Sequence, residues 1–500
     1  MSQIKTGAKL SYINIIVNTV ITFLYTPFLI SMIGQKEYGL YSLVASVIAY
    51  LSVLDMGFGN AMIRFVAKHQ AHNDNQKIKQ INGTFLLLYT AVGVLSLIIG
   101  ATLFANINNL FGSSLDAGEL AKARIIMCIL IGTVSLSFPL SIFASYAMAS
   151  ERFVFLKILD ILKHMAIPAT MIPVLFLGGK SISIVVVTGV FTLAYSITVM
   201  LYCLKKLKMQ VSFNVKNLDK QLLRSITAYS FWVFLNIIID NLYNNTDQVI
   251  LGSVKGTSAV AVYAIASKIY STNQTFSTSI SGLFLPKVAK TLEMKDGDKK
   301  VSDIFIQVSR LQLYIMTLIL TAFIVFGRSF IRLWVGDDYS DAYYILILLM
   351  GPSIIPLTQN ICISIVQAKN KHQFRSIVYI IIALINIAAS IPLAIQFGGI
   401  GAAIGTACAE ILGQFLIMNW FYWKKAGIDI PRYWKNFIKF SLPVAALAIA
   451  AFFITKDISF SWVNLMLAIG IYSIAYLAIV LLYSNKYERN LYRSLLRFKK

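Results

Sequence analysis

Polar and charged side chains interrupt an otherwise apolar stretch of the chain, LNIIIDNLYNNTDQVILG, at residues 235–252. Successive members of this polar stripe lie 4, 4 and 3 positions apart and share one face of a helix; they are Asn236, Asp240, Asn244 and Asp247. Carboxylates in such a place could hold a coupling Na⁺ or H⁺, or neutralise a nearby cation. The stripe is therefore interpreted as one wall of a water-filled path across a membrane.

Lys268 lies about ten residues into the next apolar stretch, which is about 15 Å along a helix. From that depth its side chain does not comfortably reach the headgroup region, and a charge in hydrocarbon costs at least ~2.5 kcal/mol. Lys268 must then face a cavity or pair with an acid, and Thr272 and Thr275 share its helical spacing. Two interpretations stay open: Lys268 binds a ligand, or it forms a structural ion pair with Asp240 or Asp247.

Further ionisable residues lie inside apolar stretches or at their ends. Glu410, in GTACAEILG, could couple transport to an ion or form an interhelical hydrogen bond. Asp55 and Arg64 flank one end of an apolar stretch, where a gate and a plain interfacial anchor are equally open. Arg310 and Arg375 also lie at the ends of such stretches. Either could meet an incoming anion, although arginines are common at membrane interfaces.

The composition requires a membrane protein. Hydrophobic residues make up 58% of the 500-residue chain and charged residues only 13%. Apolar runs of 18 or more residues recur along the whole length, which predicts an all-α polytopic fold. The four cysteines stand alone in apolar runs and are interpreted as small core residues, since no pair has the spacing of a metal site.

The apolar runs predict fourteen membrane spans, the first of which is not a cleaved signal. The predicted spans cover residues 10–33, 38–59, 82–105, 123–147, 153–177, 181–203, 226–252, 259–284, 307–331, 341–366, 375–396, 399–422, 436–455 and 461–483.

The connections between spans alternate between basic and nearly neutral segments. Most of the 44 Lys and Arg residues lie in one set of loops and at the termini, so the positive-inside rule predicts that both termini are cytoplasmic. The net charge of +23 is then explained by topology and attraction to anionic lipid headgroups, without nucleic acid. The longest loop of the neutral set covers only about residues 106–122, which argues against a membrane enzyme such as a sugar polymerase.

An internal repeat relates the two halves of the chain. A shift of 222 residues brings Asn18 onto Asp240 and Tyr25 onto Asp247, so the first span carries a milder polar stripe. Because the shift spans six helices, the repeat is parallel, and two six-helix bundles are predicted to face a central cavity. The predicted domains are an N-terminal bundle over 1–210, a C-terminal bundle over 211–425, and two additional spans with a basic cytoplasmic tail over 426–500.

Four segments carry a resemblance to a known family: GQKEYGLYSLVAS, LDMGFGNAMIRFVAK, NNTDQVILGSVKG with AVYAIASK, and GGIGAAIGTACAEILG. In these segments and their order the chain resembles the polysaccharide transporter family, the O-antigen and repeat-unit flippases of the multidrug/oligosaccharidyl-lipid/polysaccharide flippase superfamily. The resemblance implies a bacterial inner membrane protein that moves a glycan linked to undecaprenyl pyrophosphate between leaflets. It also implies the polysaccharide polymerase and chain-length machinery as candidate partners.

Within that resemblance the candidate residues form two sets. The expected substrate-binding or cavity residues are Lys268, Asn236, Asn244, Tyr25, Asn18, Thr272, Thr275, Arg64, Arg310 and Arg375. The expected coupling-ion or ion-pair residues are Asp240, Asp247, Glu410 and Asp55. No cofactor is expected beyond a coupling Na⁺ or H⁺, and the protein is expected to be a monomer among membrane lipids. The lipid II flippases use a cluster of cavity arginines that has no clear equivalent here, which makes lipid II a less expected substrate.

The leading prediction is a lipid-linked oligosaccharide flippase that works by alternating access and serves O-antigen, capsule or exopolysaccharide synthesis. The runner-up is a multidrug cation exporter of the same superfamily, which the carboxylates would suit and Lys268 opposes. A membrane enzyme and a scaffold without transport are the remaining alternatives. The identity of the sugar and of the coupling ion stays open at this point.

Overall fold

The computed structural model describes residues 3–212, 220–281, 284–369, 371–485 and 488–490, and within these ranges the chain is helical without a β-strand. The helices are α1 (Gln3–Ile33), α2 (Gln35–Ala49), α3 (Phe58–Ala71), α4 (Asn75–Ala105), α5 (Ile107–Phe111), α6 (Ala117–Ala149), α7 (Phe153–Phe176), α8 (Ser181–Lys205), α9 (Lys220–Val254), α10 (Thr257–Ser281), α11 (Leu285–Leu292), α12 (Gly297–Val335), α13 (Asp341–Thr358), α14 (Ile361–Ala368), α15 (His372–Glu410), α16 (Asn419–Lys424), α17 (Ile430–Thr455) and α18 (Trp462–Tyr483). Two 3₁₀ turns cover Tyr50–Asp55 and Asp337–Tyr339, and a π-helix covers Ile411–Met418.

Eleven helices of the described ranges are long and apolar enough to cross a membrane, which confirms the all-α polytopic fold. Predicted spans 7 and 8 correspond to α9 and α10, which are not among these eleven. One of the eleven, Gln373–Lys424, covers predicted spans 11 and 12 and is broken at Gly398, where φ is +61°. The total of fourteen spans stays a prediction.

The chain divides into two compact units, Met1–Ala264 and Ile265–Lys500, and the boundary falls within α10. The predicted bundle limits at residues 210 and 425, and the cavity expected between the bundles, stay predictions. Each unit is described by itself below.

In the first unit, α6 packs against α4 and α8, and α1 packs against α7. Small residues permit this close approach: a Cβ atom at Gly93 of α4 would lie 2.8 Å from the carbonyl oxygen of Ser135 in α6. The core beside them contains buried aromatic rings, such as Phe85 and Tyr89. Later in the unit, α9 packs against α2, so the helix that carries the polar stripe belongs to this unit.

In the second unit, α12 packs against α13, α17 and α18, and α13 packs against α15. The contact of α12 with the last two helices is aromatic: the rings of Tyr314 and Phe440 lie 4.6 Å apart, and Tyr476 is fully buried beside them. Large apolar residues such as Leu442, Ile471 and Leu482 remain exposed on the outside of α17 and α18, as expected of a surface in contact with lipid.

Candidate functional site

Among the stripe residues whose side chains the structure describes, Asp247 is the most deeply buried. Only 3% of its surface is exposed, and its carboxylate accepts a hydrogen bond from the hydroxyl of Tyr263 on α10. A carboxylate in a membrane protein is tolerated when polar groups replace its water, and a tyrosine hydroxyl does this without adding a charge. The pair therefore forms a fixed polar point between α9 and α10.

The residues on either side of Asp247 connect α9 to α2 and to the 3₁₀ turn that follows α2. The Oε1 atom of Gln248 accepts a hydrogen bond from Ser46 Oγ at 2.8 Å, and the hydroxyls of Thr246 and Tyr50 lie 2.6 Å apart. Both contacts join residues about 200 positions apart in the chain, at helix faces that are largely buried. Three consecutive residues of α9 are thus held by side chains from other helices.

One end of the same unit is closed by a second set of polar contacts, here called the Glu37 cluster, which comprises Glu37, Glu119, Lys122, Ser181 and Thr257. The carboxylate of Glu37 accepts hydrogen bonds from Lys122 and from the hydroxyl of Ser181. Glu119 completes the N-terminal capping box of α6 and also accepts a hydrogen bond from Thr257 at 2.7 Å. The cluster joins the beginnings of α2, α6, α8 and α10.

Glycine permits the close packing of helices beside the Glu37 cluster. A Cβ atom at Gly39 would lie 1.9 Å from the carbonyl oxygen of Thr257, a distance that no side chain allows. The carbonyl oxygen of Gly252, near the end of α9, accepts a hydrogen bond of 2.5 Å from Ser114 Oγ. The start of α10 therefore touches α2 directly, backbone against backbone.

The second unit buries its own carboxylate, Glu410, at the end of α15. Glu410 is 8% exposed, and its Oε1 atom accepts a hydrogen bond of 3.1 Å from the hydroxyl of Tyr270. Gln274 and Ser353 hydrogen-bond to the same tyrosine. The Oε2 atom of Glu410 is buried and has no hydrogen-bond partner within the described ranges. One carboxylate oxygen thus accepts a hydrogen bond, and the other has no hydrogen-bond donor among the described residues.

A network of uncharged polar groups lies nearby on α10, α12 and the break between α13 and α14. Because α13 ends at Thr358, the carbonyl oxygen of Leu357 loses its helical partner, and Ser277 Oγ donates to it at 2.6 Å. Gln312 donates to the carbonyl oxygen of Ser277 at 3.1 Å, and Asn360 donates to the Ser277 hydroxyl at 3.3 Å. The network provides hydrogen-bond partners at a helix break in the last third of the predicted span 341–366.

Lys268, the principal candidate from the sequence, is exposed on α10, and no partner of its ammonium group lies in the described part of the chain. The hydroxyls of Ser271 and Thr272 donate to the Lys268 carbonyl at 3.0 and 2.9 Å, and Thr275 donates to the Ser271 carbonyl at 2.9 Å. These hydroxyl oxygens keep their lone pairs. The structure therefore presents a cation beside a ladder of hydroxyl groups.

The polar stripe and its counterpart in α1 are only partly buried. Asp240 and Asn244 are exposed, and the Asn244 amide donates to the Asp240 carbonyl at 2.7 Å. Asn18 of α1 is exposed, whereas the Tyr25 hydroxyl is buried, with no hydrogen-bond partner among the residues that the structure describes. The side chain of Asn236 lies outside the described part.

Asp55 lies at a helix break in the LDMGFG segment. Asp55 is the last residue of the 3₁₀ turn, and two left-handed residues, Met56 with φ +50° and Gly57 with φ +70°, follow it before α3 begins. The carboxylate of Asp55 accepts hydrogen bonds from the Tyr89 hydroxyl and the Gly57 backbone N–H. Arg64 is exposed on α3. Asp55 is thus a cap of this break as well as a candidate gate residue.

The two arginines predicted at span ends have different surroundings. Arg310 forms an ion pair with the fully buried Glu488 at 2.6 Å and donates to Tyr314 at 2.6 Å and Asn436 at 3.1 Å. These contacts tie the residues after α18 to α12. Arg375 lies over the ring of Tyr379, 4.5 Å from its centroid. A role of either arginine toward a substrate stays a prediction.

Two sets of contacts at the candidate site were not predicted from the sequence. Tyr270 was missed although it lies seven residues after Tyr263 on the same helix, a spacing that could have suggested a second carboxylate partner. Glu37 and Lys122 were also missed, because they lie at the ends of spans where interfacial charges are ordinary. Their pairing depends on contacts between distant helices, which no local pattern records.

The family model described as polysaccharide biosynthesis protein matches residues 6–292, more than half of the chain, and confirms the resemblance noted from the sequence. A putative O-antigen transporter of Shigella flexneri is 20% identical over 408 residues, which cover 80% of this chain and 93% of that protein.

Two solved structures share the fold. The lipid II flippase MurJ, in an inward closed conformation, matches with a TM-score of 0.71 at 16% identity over 98% of this chain and 99% of that chain. An inward-facing multidrug resistance MATE family transporter of the MOP superfamily matches with a TM-score of 0.60 at 15% identity over 84% and 99% of the two chains. At such identities these structures establish the fold alone.

Proposed function

The chain belongs to the polysaccharide biosynthesis protein family, and we propose that it is a flippase for a lipid-linked glycan. The proposed substrate is an oligosaccharide repeat unit on undecaprenyl pyrophosphate, carried by alternating access from the cytoplasmic to the outer leaflet of a bacterial inner membrane. Both termini are proposed to be cytoplasmic, and the protein is proposed to work as a monomer.

The family match carries this proposal, together with the O-antigen transporter that the chain follows over 93% of that relative's length. A flippase must move a sugar pyrophosphate past about 30 Å of hydrocarbon. It needs cations and hydroxyl groups inside its spans, and it needs no nucleophile because no bond is broken. The exposed Lys268 and the hydroxyls of Thr272 and Thr275 have this chemistry.

In the proposed mechanism, Lys268 binds the pyrophosphate through charge-assisted hydrogen bonds, and exposed amides such as Asn244 bind sugar hydroxyls. The membrane potential helps an anion outward at ~2.3 kcal/mol per charge per 100 mV. Counter-movement of H⁺ or Na⁺ would add to this drive. Glu410 is the proposed coupling group because it is buried next to a π-helix, and π-helical turns are frequent at functional sites.

The test uses purified protein in proteoliposomes that contain an undecaprenyl-pyrophosphate oligosaccharide. The measured quantity is the rate at which the glycan becomes exposed to an impermeant glycosidase, with and without an imposed potential. We expect Lys268→Ala to slow this rate tenfold or more, because a hydrogen bond to a charged group contributes about 1.5–3 kcal/mol. Lys290→Ala, which removes an exposed lysine of α11, is the matched control and should transport normally.

The double variants separate the two interpretations of Lys268. If flipping lost in Lys268→Ala returns when Asp240 or Asp247 is also changed to Asn, the lysine acts as a structural ion-pair partner. If no lipid-linked glycan is exposed in a protein-dependent manner, the flippase proposal is wrong.

A multidrug cation exporter is the second candidate. The fold shared with a MATE transporter and the buried carboxylates Asp247 and Glu410 favour it. The exposed Lys268, whose ammonium group has no partner among the described residues, opposes it, since like charges repel. Transport of ethidium by the same proteoliposomes, without glycan exposure, would establish this alternative.

A further inference from the structure

We propose that a basic and aromatic pocket of the second unit binds the phosphodiester headgroup of an anionic phospholipid from the adjacent leaflet. The pocket, here called the Lys371 pocket, lies where the start of α15 meets α16. It is lined by Lys371, Gln373, Phe374, Trp420, Phe421 and Lys425 and has a volume of about 370 Å³. The inference is independent of which solute the protein moves.

The charge of the Lys371 pocket favours an anion. The Nζ atom of Lys371 donates to the carbonyl oxygen of Lys425 at 2.6 Å, which fixes one ammonium group at the rim. The ammonium group of Lys425 and the amide of Gln373 are exposed, and neither has a partner within the part of the chain that the structure describes. No carboxylate is among the lining residues. Basic pockets of this kind between helices on the cytoplasmic side are typical binding sites of anionic headgroups.

The neighbouring carboxylates are already engaged. Asp298 forms an ion pair of 2.7 Å with Lys369, whose ammonium group also donates to the carbonyl oxygen of Ala426 at 2.6 Å. Asp429 caps α17 by accepting a hydrogen bond from the backbone N–H of Arg432. Asp298 thus pairs with Lys369 and not with Lys371 or Lys425, and one oxygen of Asp429 is occupied by the helix cap.

Aromatic rings place the pocket at the membrane interface. Phe374 and Phe421 stack with their centroids 4.3 Å apart, and the half-exposed ring of Trp420 lies 6.5 Å from Phe374. On the same helix, the ammonium group of Lys424 lies 3.6 Å from the centroid of Trp423. Tryptophan beside lysine is typical of the headgroup level of a bilayer.

An exposed apolar surface continues from the pocket along the same two helical segments. Ile377 and Ile381 are exposed on α15, one and two turns after Phe374. Leu416 and Ile417 are exposed on the π-helix, about one turn before Trp420. A charged rim that leads into an apolar surface fits a molecule with a phosphate head and acyl chains. A free phosphate or an acidic peptide would leave this apolar surface uncovered.

The test measures lipid retention by the purified full-length protein in detergent, using native mass spectrometry. Phosphatidylglycerol and phosphatidylcholine with the same acyl chains are titrated separately. We expect the wild type to retain phosphatidylglycerol more tightly, and Lys371→Gln/Lys425→Gln to weaken that binding about 25-fold, at about 5-fold per lysine. Phosphatidylcholine binding should change little, because its headgroup has no net charge.

Lys435→Gln/Lys439→Gln is the matched control, since it removes two exposed lysines from α17 outside the pocket. We expect it to leave phosphatidylglycerol binding nearly unchanged. Equal losses in both double variants would mean that the whole basic surface attracts lipid, and would overturn the pocket. Competition by inorganic phosphate at the same concentration as the lipid would show a free-phosphate site instead. Equal retention of both lipids by the wild type would refute the proposal without any variant.

Discussion

The Asp247–Tyr263 pair of the first unit and the Glu410–Tyr270 pair of the second unit bury the same two chemical groups. In both, a carboxylate that is less than 10% exposed accepts a hydrogen bond from a tyrosine hydroxyl of α10. Their surroundings differ. The residues beside Asp247 are hydrogen-bonded to Ser46 and to the hydroxyl of Tyr50, so the carboxylate belongs to a set of fixed contacts.

Glu410 lies where a regular helix ends. The π-helix Ile411–Met418 begins at the next residue, and π-helical turns occur frequently at functional sites. On α13, a Cβ atom at Gly351 would touch nothing within 4 Å, so the helix has open space at that position. The Asp247–Tyr263 pair thus lies among hydrogen bonds between helices, whereas the Glu410–Tyr270 pair lies beside a π-helix, which makes Glu410 the proposed site of proton exchange.

The largest expected change in stability concerns two glycine variants, one in each unit. In Gly39→Ala, the new Cβ would lie 1.9 Å from the Thr257 carbonyl oxygen, so α2 or α10 must move, and we expect a loss of about 3 kcal/mol or more in stability. Gly351→Ala adds a methyl group to open space and should change stability by less than about 1 kcal/mol. Thermal unfolding in detergent measures both, and equal effects of the two variants would remove the distinction between the regions.

The next effect concerns the tyrosines. Tyr263→Phe should lower stability by about 1.5–3 kcal/mol, because it leaves a buried carboxylate without its hydroxyl donor. Tyr270→Phe should cost about 0.5–1.5 kcal/mol, because the Tyr270–Glu410 bond is long at 3.1 Å. The same unfolding measurement compares them, with Tyr12→Phe, an exposed tyrosine of α1, as the control. A larger loss of stability in Tyr270→Phe than in Tyr263→Phe would mean that the Glu410–Tyr270 pair, and not the Asp247–Tyr263 pair, is the stronger contact between helices.

The helical membrane fold could be predicted from the sequence because hydrocarbon requires apolar runs and internally bonded backbones, and both leave a local record. The polar stripe was equally visible, since its spacing is that of one helix face. The partners leave no such local record: the hydrogen bond from the Tyr263 hydroxyl to Asp247 depends on how α9 and α10 pack. The pairing of Asp247 with Lys268 stays a prediction. The surroundings of Arg310 were also hidden, because Glu488 lies 178 residues away in the chain.

The smallest expected effect concerns the response of transport to a proton gradient, which should differ between variants of the two carboxylates. Glu410→Gln keeps an oxygen that can accept from Tyr270 but no longer takes up a proton, so the fold should persist. We expect the stimulation of glycan flipping by an imposed proton gradient, taken as about tenfold or 1.4 kcal/mol, to disappear in this variant. Asp247→Asn should keep that stimulation, because the Asp247–Tyr263 pair is not expected to exchange protons during transport.

The measurement is glycosidase access in proteoliposomes with and without the gradient. Loss of stimulation in Asp247→Asn alone would move the coupling site to the first unit, and stimulation by Na⁺ instead of H⁺ in the wild type would identify the other ion.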